Sequence, residues 1–179
     1  MKKAYFTARA FTLVELIVVI AIIAILTGII LTSLTGSKAK GRDAQRVSDL
    51  GQIQLALELY FDRCHVYPLS HGGKIDSTVL NETVSNNGCV DSSNNSIALN
   101  SYISVVQTPP AGATPSQTAY GYVTNNGTAP TDYVLFAILE STNSASTNSL
   151  GSSAPSYGQS VNGTAITCNL TTNYCVGPK

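Results

Sequence analysis

Residues 11–34 read FTLVELIVVIAIIAILTGIILTSL, and this run decides what kind of chain this is. It is apolar throughout apart from small polar residues and one carboxylate, Glu15. A helix of about 20 such residues, at ~1.5 Å rise each, is long enough to cross a bilayer. Lys2, Lys3 and Arg9 precede it, and Lys38, Lys40 and Arg42 follow it. Basic residues at both ends leave the positive-inside rule nearly balanced, so charge alone does not orient the span. An acid within such a segment is costly to insert, and Glu15 is therefore expected to meet a partner.

Working outward, the helix is expected to continue past Leu34. No proline occurs before Pro68, and a helical period persists from Lys38 to Phe61. At 100° per residue, Val47, Leu50, Ile53, Leu57, Tyr60 and Phe61 share one side, with Cys64 beside them, forming the stripe a folded domain would cover. Arg42, Asp43, Arg46 and Asp49 place opposite charges three apart, which reads as a solvated face with weak intrahelical pairs. Leu55 and Leu59 stand one turn apart on the opposite side, where a monomer exposes them. They are candidates for contact with a neighbouring subunit. One helix from Phe11 to about Arg63 would be ~80 Å long, so the domain covers only its second half. The first half is left to lipid or to other copies of the chain.

The full chain has 179 residues and a formal net charge of zero. Residues 1–10 hold three of the ten basic residues, so their removal leaves seven against ten acids, a net charge of −3. That balance argues against nucleic-acid binding through a basic surface. Ser, Thr and Asn dominate the C-terminal two thirds. Cys64, Cys89, Cys168 and Cys175 all follow the apolar segment. Outside the cytoplasm they read as two disulfides, with three connectivities possible. Cys64–Cys89 with Cys168–Cys175 is favoured because both loops are local. His65 and His71 near Cys64 lack the paired spacing of a zinc site.

After Pro68, residues 70–96 read as a polar connection. Ile97, Leu99, Tyr102, Ile103 and Val106 suggest a short helix ending before Pro109. Residues 118–124 and 131–140 read as strands around an Asn125-Asn126-Gly127 turn. The second is apolar on both faces and should be a central strand. Residues 141–163 read as a polar surface loop, and 164–176 as a final hairpin. The serines and histidines form no catalytic constellation, and there is no phosphate-binding glycine loop. No enzyme activity, cofactor or metal is expected. Asn-x-Ser/Thr sequons occur at Asn81, Asn94, Asn126, Asn162 and Asn169.

A short basic leader, a small residue and Phe-Thr-Leu-Val-Glu opening an unbroken apolar run resemble the N-terminus of type IV pilins and type II secretion pseudopilins. The Tyr60 to Pro68 junction, YFDRCHVYP, resembles the same point in major pseudopilins. The likeness is strong over residues 1–68, moderate through Glu140 and negligible beyond. It implies an α+β pilin fold, in which a long N-terminal helix packs on a small antiparallel sheet. The expected divisions are a leader (1–10), a membrane and assembly half-helix (11–34), a domain half-helix (35–63) and the remainder (64–179). It further implies that a prepilin peptidase cuts between Ala10 and Phe11 and methylates the Phe11 amine. Family members usually carry Gly where Ala10 stands. Glu15 becomes the fifth mature residue, the position the family uses in assembly. The implied partners are the peptidase, lipid, an inner-membrane assembly platform and other pilin copies, with a cytoplasmic N-terminus and an extracytoplasmic filament. Some pseudopilins bind calcium through a late acidic loop, but the only acids here from Asp132 onward are Asp132 and Glu140, so no such site is carried over. The alternative is a membrane-tethered binding or adhesion module, or a minor tip pilin.

Overall fold

The computed structural model describes residues 11–82, 89–112, 119–125, 129–141, 150, 160–161, 164–165, 168 and 172–178. The leader, most of the Asn125–Gly127 turn and most of the 141–163 segment lie outside these. Two compact units divide at Lys38 and Ala39. Helix α1 (Leu13–Cys64), with Phe11 and Thr12 before it, supplies the described part of the first unit, and α1 is also the first element of the second.

In the first unit, Leu13–Ile30 is long and apolar enough to cross a membrane, and none of it is buried by the protein itself. Its hydrophobicity runs all round the helix. A helix apolar on every side requires either lipid or other protein around it.

The second unit is organised around the α1 stripe. Leu50, Ile53, Ala56, Leu57 and Tyr60 are buried, with Cys64 at their end. They pack with Tyr120 and Tyr122 and with Tyr133, Leu135 and Ala137. Most of these last belong to a three-stranded antiparallel sheet of β1 (Gly121–Thr124), β2 (Tyr133–Ile138) and β5 (Asn173–Val176), in the order β1-β2-β5. β2 is the central strand, as its two apolar faces require. Tyr133, Leu135 and Ala137 face the helix-side core, whereas Val134 and Phe136 join Val123 and the Cys168–Cys175 bond in a second cluster. The period of two assigns each face.

The sheet departs from two expectations. β4 (Thr164–Ala165) pairs with β3 (Ser160–Val161), not with β5. β5 instead completes the open edge of β2, pairing Phe136 with Cys175 and Ala137 with Tyr174. Central-strand burial outweighs the local hairpin, and the Cys168–Cys175 link is compatible with both arrangements. Likewise, 97–106 holds only a 3₁₀ turn, Leu99–Ser101. The adjacent β-branched Val105 and Val106 and the approach to Pro109 disfavour more helix. A short α2 (Ser77–Leu80) stands in the segment read as a plain connection, with Asp76 capping Thr78 N–H at 2.9 Å.

Gly121 lies opposite Phe136 in the β1–β2 register, and a Cβ there would overlap the Phe136 ring. The ring covers the bare backbone. Gly121→Ala is therefore expected to destabilise the fold by about 1–3 kcal/mol through overpacking, seen as a lower midpoint in chemical denaturation. An unchanged midpoint would show that the ring can move aside.

Candidate assembly surface

The site is best built from the N-terminus of α1. Thr12 precedes the first helical residue. Its Oγ1 accepts from Glu15 N–H at 3.2 Å, while the Glu15 carboxylate accepts from Thr12 N–H and from its hydroxyl, each at 2.8 Å. This is a reciprocal capping box, Thr-x-x-Glu, in which two otherwise orphaned helix donors are satisfied. The spacing is legible in Thr12-Leu13-Val14-Glu15, but the family likeness draws attention to the acid alone. Within one chain, then, Glu15 already has a partner. The carboxylate also lies at the positive end of the helix dipole.

Beyond the cap, Phe11 is 85% exposed, and the large apolar side chains from Leu13 to Ile30 are likewise exposed. Farther along α1, Leu55 and Leu59 are 62% and 47% exposed on the side away from the core. Ala10 falls outside the described residues. Glu15, Leu55 and Leu59 thus lie on α1 itself, with Phe11 just ahead of it. Phe11 and Glu15 belong to the first compact unit, and the two leucines to the second.

The charged ladder is not a solvated face. Asp43 is fully buried, and Arg46 and Asp49 nearly so. Asp43 accepts from Arg46 at 2.7 Å, from the Glu140 and Ser141 backbone N–H groups at 2.9 Å each, and from the Ser141 hydroxyl at 2.6 Å. Arg46 also meets Glu140 at 2.7 Å and donates to the Pro110 carbonyl at 2.7 Å. Arg42 forks onto Glu140, and that bond holds its guanidinium above its usual range. Tyr120 donates to Asp49 at 2.5 Å. Gly112 packs so closely on this network that a Cβ would strike the Glu140 carboxylate. These charges continue the Leu50 stripe toward the helix N-terminus, so Glu140 and Ser141, just past the end of β2, cover them. Their carboxylate and backbone partners sit 64 to 98 residues away, where helical spacing cannot reveal them.

The lower core is tied by tyrosines. Glu58 accepts from Tyr67 at 3.1 Å and Tyr133 at 2.9 Å, and Tyr122 donates to the Pro68 carbonyl at 2.7 Å. Burial first, and Glu58 second, keep the Tyr67 and Tyr133 phenols above their ordinary range, so both remain donors. Disulfides join Cys64 to Cys89 and Cys168 to Cys175, with Cα atoms 5.1 Å and 5.8 Å apart. His71 pairs with Glu82, and among the described residues no group of three or more His, Cys, Asp or Glu side chains is placed to hold a metal.

Residues 6–31 match the family described as the prokaryotic N-terminal methylation motif. The chain is 38% identical over 65 residues to the type II secretion system core protein G of Escherichia coli (strain K12), covering 36% of this chain and 45% of that protein. It is 35% identical over 65 residues to the protein of the same name from Pectobacterium carotovorum subsp. carotovorum, covering 36% and 42%. The match thus spans less than half the length of either relative. No solved structure matches the chain significantly. The methylation motif, these relatives and the long helix packed on an antiparallel sheet agree: the chain carries the N-terminal methylation motif and is similar, over its N-terminal part, to type II secretion pseudopilins, with a fold consistent with the α+β pilin fold.

Proposed function

We propose that the chain is a structural subunit of a type IV pilus or a type II secretion pseudopilus. It is held in the inner membrane by the apolar part of α1 and then drawn into a helical filament. The observation that carries this reading is the Leu13–Ile30 helix, wholly exposed on a single chain and headed by one carboxylate. Lipid satisfies such a surface in storage, and the same surface on other copies satisfies it in the filament. Prepilin peptidase would remove residues 1–10 and methylate the Phe11 amine, which stays cationic. On assembly Glu15 would turn from its own cap to the Phe11 amine of an adjacent subunit. Opposite charges attract far more strongly away from water, so this pair would set axial register. Leu55 and Leu59 would add apolar contact between neighbouring domains, and an inner-membrane platform would drive extraction. The two disulfides support an extracytoplasmic domain.

Mass spectrometry of the mature N-terminus tests the pathway. The expected product begins at Phe11 and carries one added methyl group. Protein that retains Met1 in cells with an active prepilin peptidase would overturn it.

A further inference from the structure

Two of the chain's Asn-x-Ser/Thr sequons, at Asn81 and Asn94, have acceptor residues among those described. The structure treats them differently. The Asn81 carboxamide is engaged at both ends: its nitrogen donates to the Ser77 carbonyl at 2.8 Å, and its oxygen accepts from Asn100 at 2.9 Å. The Asn94 carboxamide, in Asn94-Asn95-Ser96, makes no hydrogen bond among the described residues, and neither does the Ser96 hydroxyl. Both residues are exposed.

The loop that presents Asn94 is firmly built. Val90 bridges Ser96, Ile97 N–H donates to the Cys89 carbonyl at 3.0 Å, and Asp91 N–H donates to the Asn95 carbonyl at 2.8 Å. The Asp91 carboxylate accepts from Ser93 N–H at 2.8 Å and Asn95 N–H at 2.9 Å, and from the Asn95 side chain at 3.2 Å. These bonds, those from Asn95 foremost, hold the Asp91 carboxyl below its usual range. Arg63 of α1 anchors the loop through the Val90 carbonyl, and the Cys64–Cys89 bond ties its base. Asn94 contributes its backbone N–H, which donates to the Asp91 carbonyl at 3.1 Å, but its side chain takes no part in closing the turn. Asn94 sits at its tip with φ +64°, in the left-handed region that asparagine tolerates better than most residues. The acceptor amide and the hydroxyl two residues on, the two groups that define a sequon, are the groups the fold leaves free.

We infer that Asn94 is an N-glycosylation site of the folded domain, taking a saccharide from a lipid-pyrophosphate-linked donor. The Asn94 side-chain nitrogen forms a C–N bond to the anomeric carbon of the first sugar. The anomeric C–O bond to the pyrophosphate breaks, the lipid pyrophosphate leaves with that electron pair, and the amide proton passes to a base of the transferase. No redox change occurs. The saccharide would stand on the side of the membrane that holds the disulfides, so the inference rests on the extracytoplasmic placement proposed above.

The test is mass spectrometry of the full chain purified from its native cells, digested after acidic residues. Glu82 and Asp91 lie between the two asparagines, so the digest separates Asn81 from Asn94. The expected result is a hexose- or hexosamine-containing mass on the Asn94 peptide, absent in Ser96→Ala, with the Asn81 peptide unmodified. An unmodified Asn94 peptide, or equal modification of both asparagines, would overturn the inference. Alkylation of free thiols in the same sample tells which premise failed. Oxidised Cys64 and Cys89 beside an unmodified Asn94 remove the glycan alone. Free thiols remove the extracytoplasmic placement as well.

Discussion

Replacing Asp43 with alanine should destabilise the domain by about 3–5 kcal/mol, the cost of breaking a buried ion pair from one side. Asp43 is fully buried and accepts from four donors: the Arg46 guanidinium, two backbone N–H groups and the Ser141 hydroxyl. Alanine fills none of that role. Arg46 keeps Glu140 and the Pro110 carbonyl, so the charge is not wholly abandoned. The Glu140 and Ser141 N–H groups, however, are stranded beside a space too confined for easy solvation. Each unmet buried donor costs about 1–3 kcal/mol. Asp43→Asn is the informative companion. It retains an acceptor oxygen but loses the charge and one carboxylate oxygen, so it should fall between wild type and Asp43→Ala. The chain has no tryptophan and nine tyrosines, and several of these are buried in the core. Urea unfolding of the full chain in detergent can thus be followed by tyrosine fluorescence. A loss under about 1 kcal/mol for Asp43→Ala, below the range expected for a stranded buried group, would mean that the segment following β2, at Glu140 and Ser141, does not close over the helix as described.

The same network marks the limit of what local spacing carries. The α1 stripe from Val47 to Cys64, whose members Val47 and Phe61 are only half-buried, the central position of β2 and the two cysteine pairs are local or periodic features, and the structure contains all of them. Arg42, Asp43, Arg46 and Asp49 carry an equally plain helical spacing, yet that spacing describes a solvated ladder and a buried clamp equally well. The difference lies in Glu140 and Ser141, which arrive from a distant part of the chain. Extending the wheel backward from Leu50 through Arg46 and Asp43 does place them on the covered side. A related limit applies to β5. Its alternative partner, Thr164–Ala165, is nearer in sequence, but the open edge of a doubly buried strand offers more. The N-terminal cap is different in kind. Thr12 and Glu15 have capping-box spacing, a signal that needs no tertiary information to be read.

Glu15→Lys should leave the protein in the membrane yet abolish efficient filament growth. The Leu13–Ile30 span keeps its length and nearly all its apolar character, and position 15 lies in the first turn of α1, where a long side chain can reach the interface. Membrane fractionation should therefore give wild-type recovery. In the proposed filament, the ammonium introduced at position 15 would face the cationic Phe11 amine of its neighbour. Like charges set against each other across an interface cost several kcal/mol, so filament yield should drop roughly tenfold or more. Thr12→Ala separates this effect from helix capping, since both substitutions dismantle the Thr12–Glu15 box but only one removes the carboxylate. If the acid acts between subunits, Thr12→Ala continues to assemble, because Glu15 has lost only its local partner and is freer to take the other. Equal loss of filaments in the two variants would assign Glu15 to holding the first turn of its own helix. Normal filaments from Glu15→Lys would remove the charge pair from the mechanism altogether and leave assembly to the apolar surface.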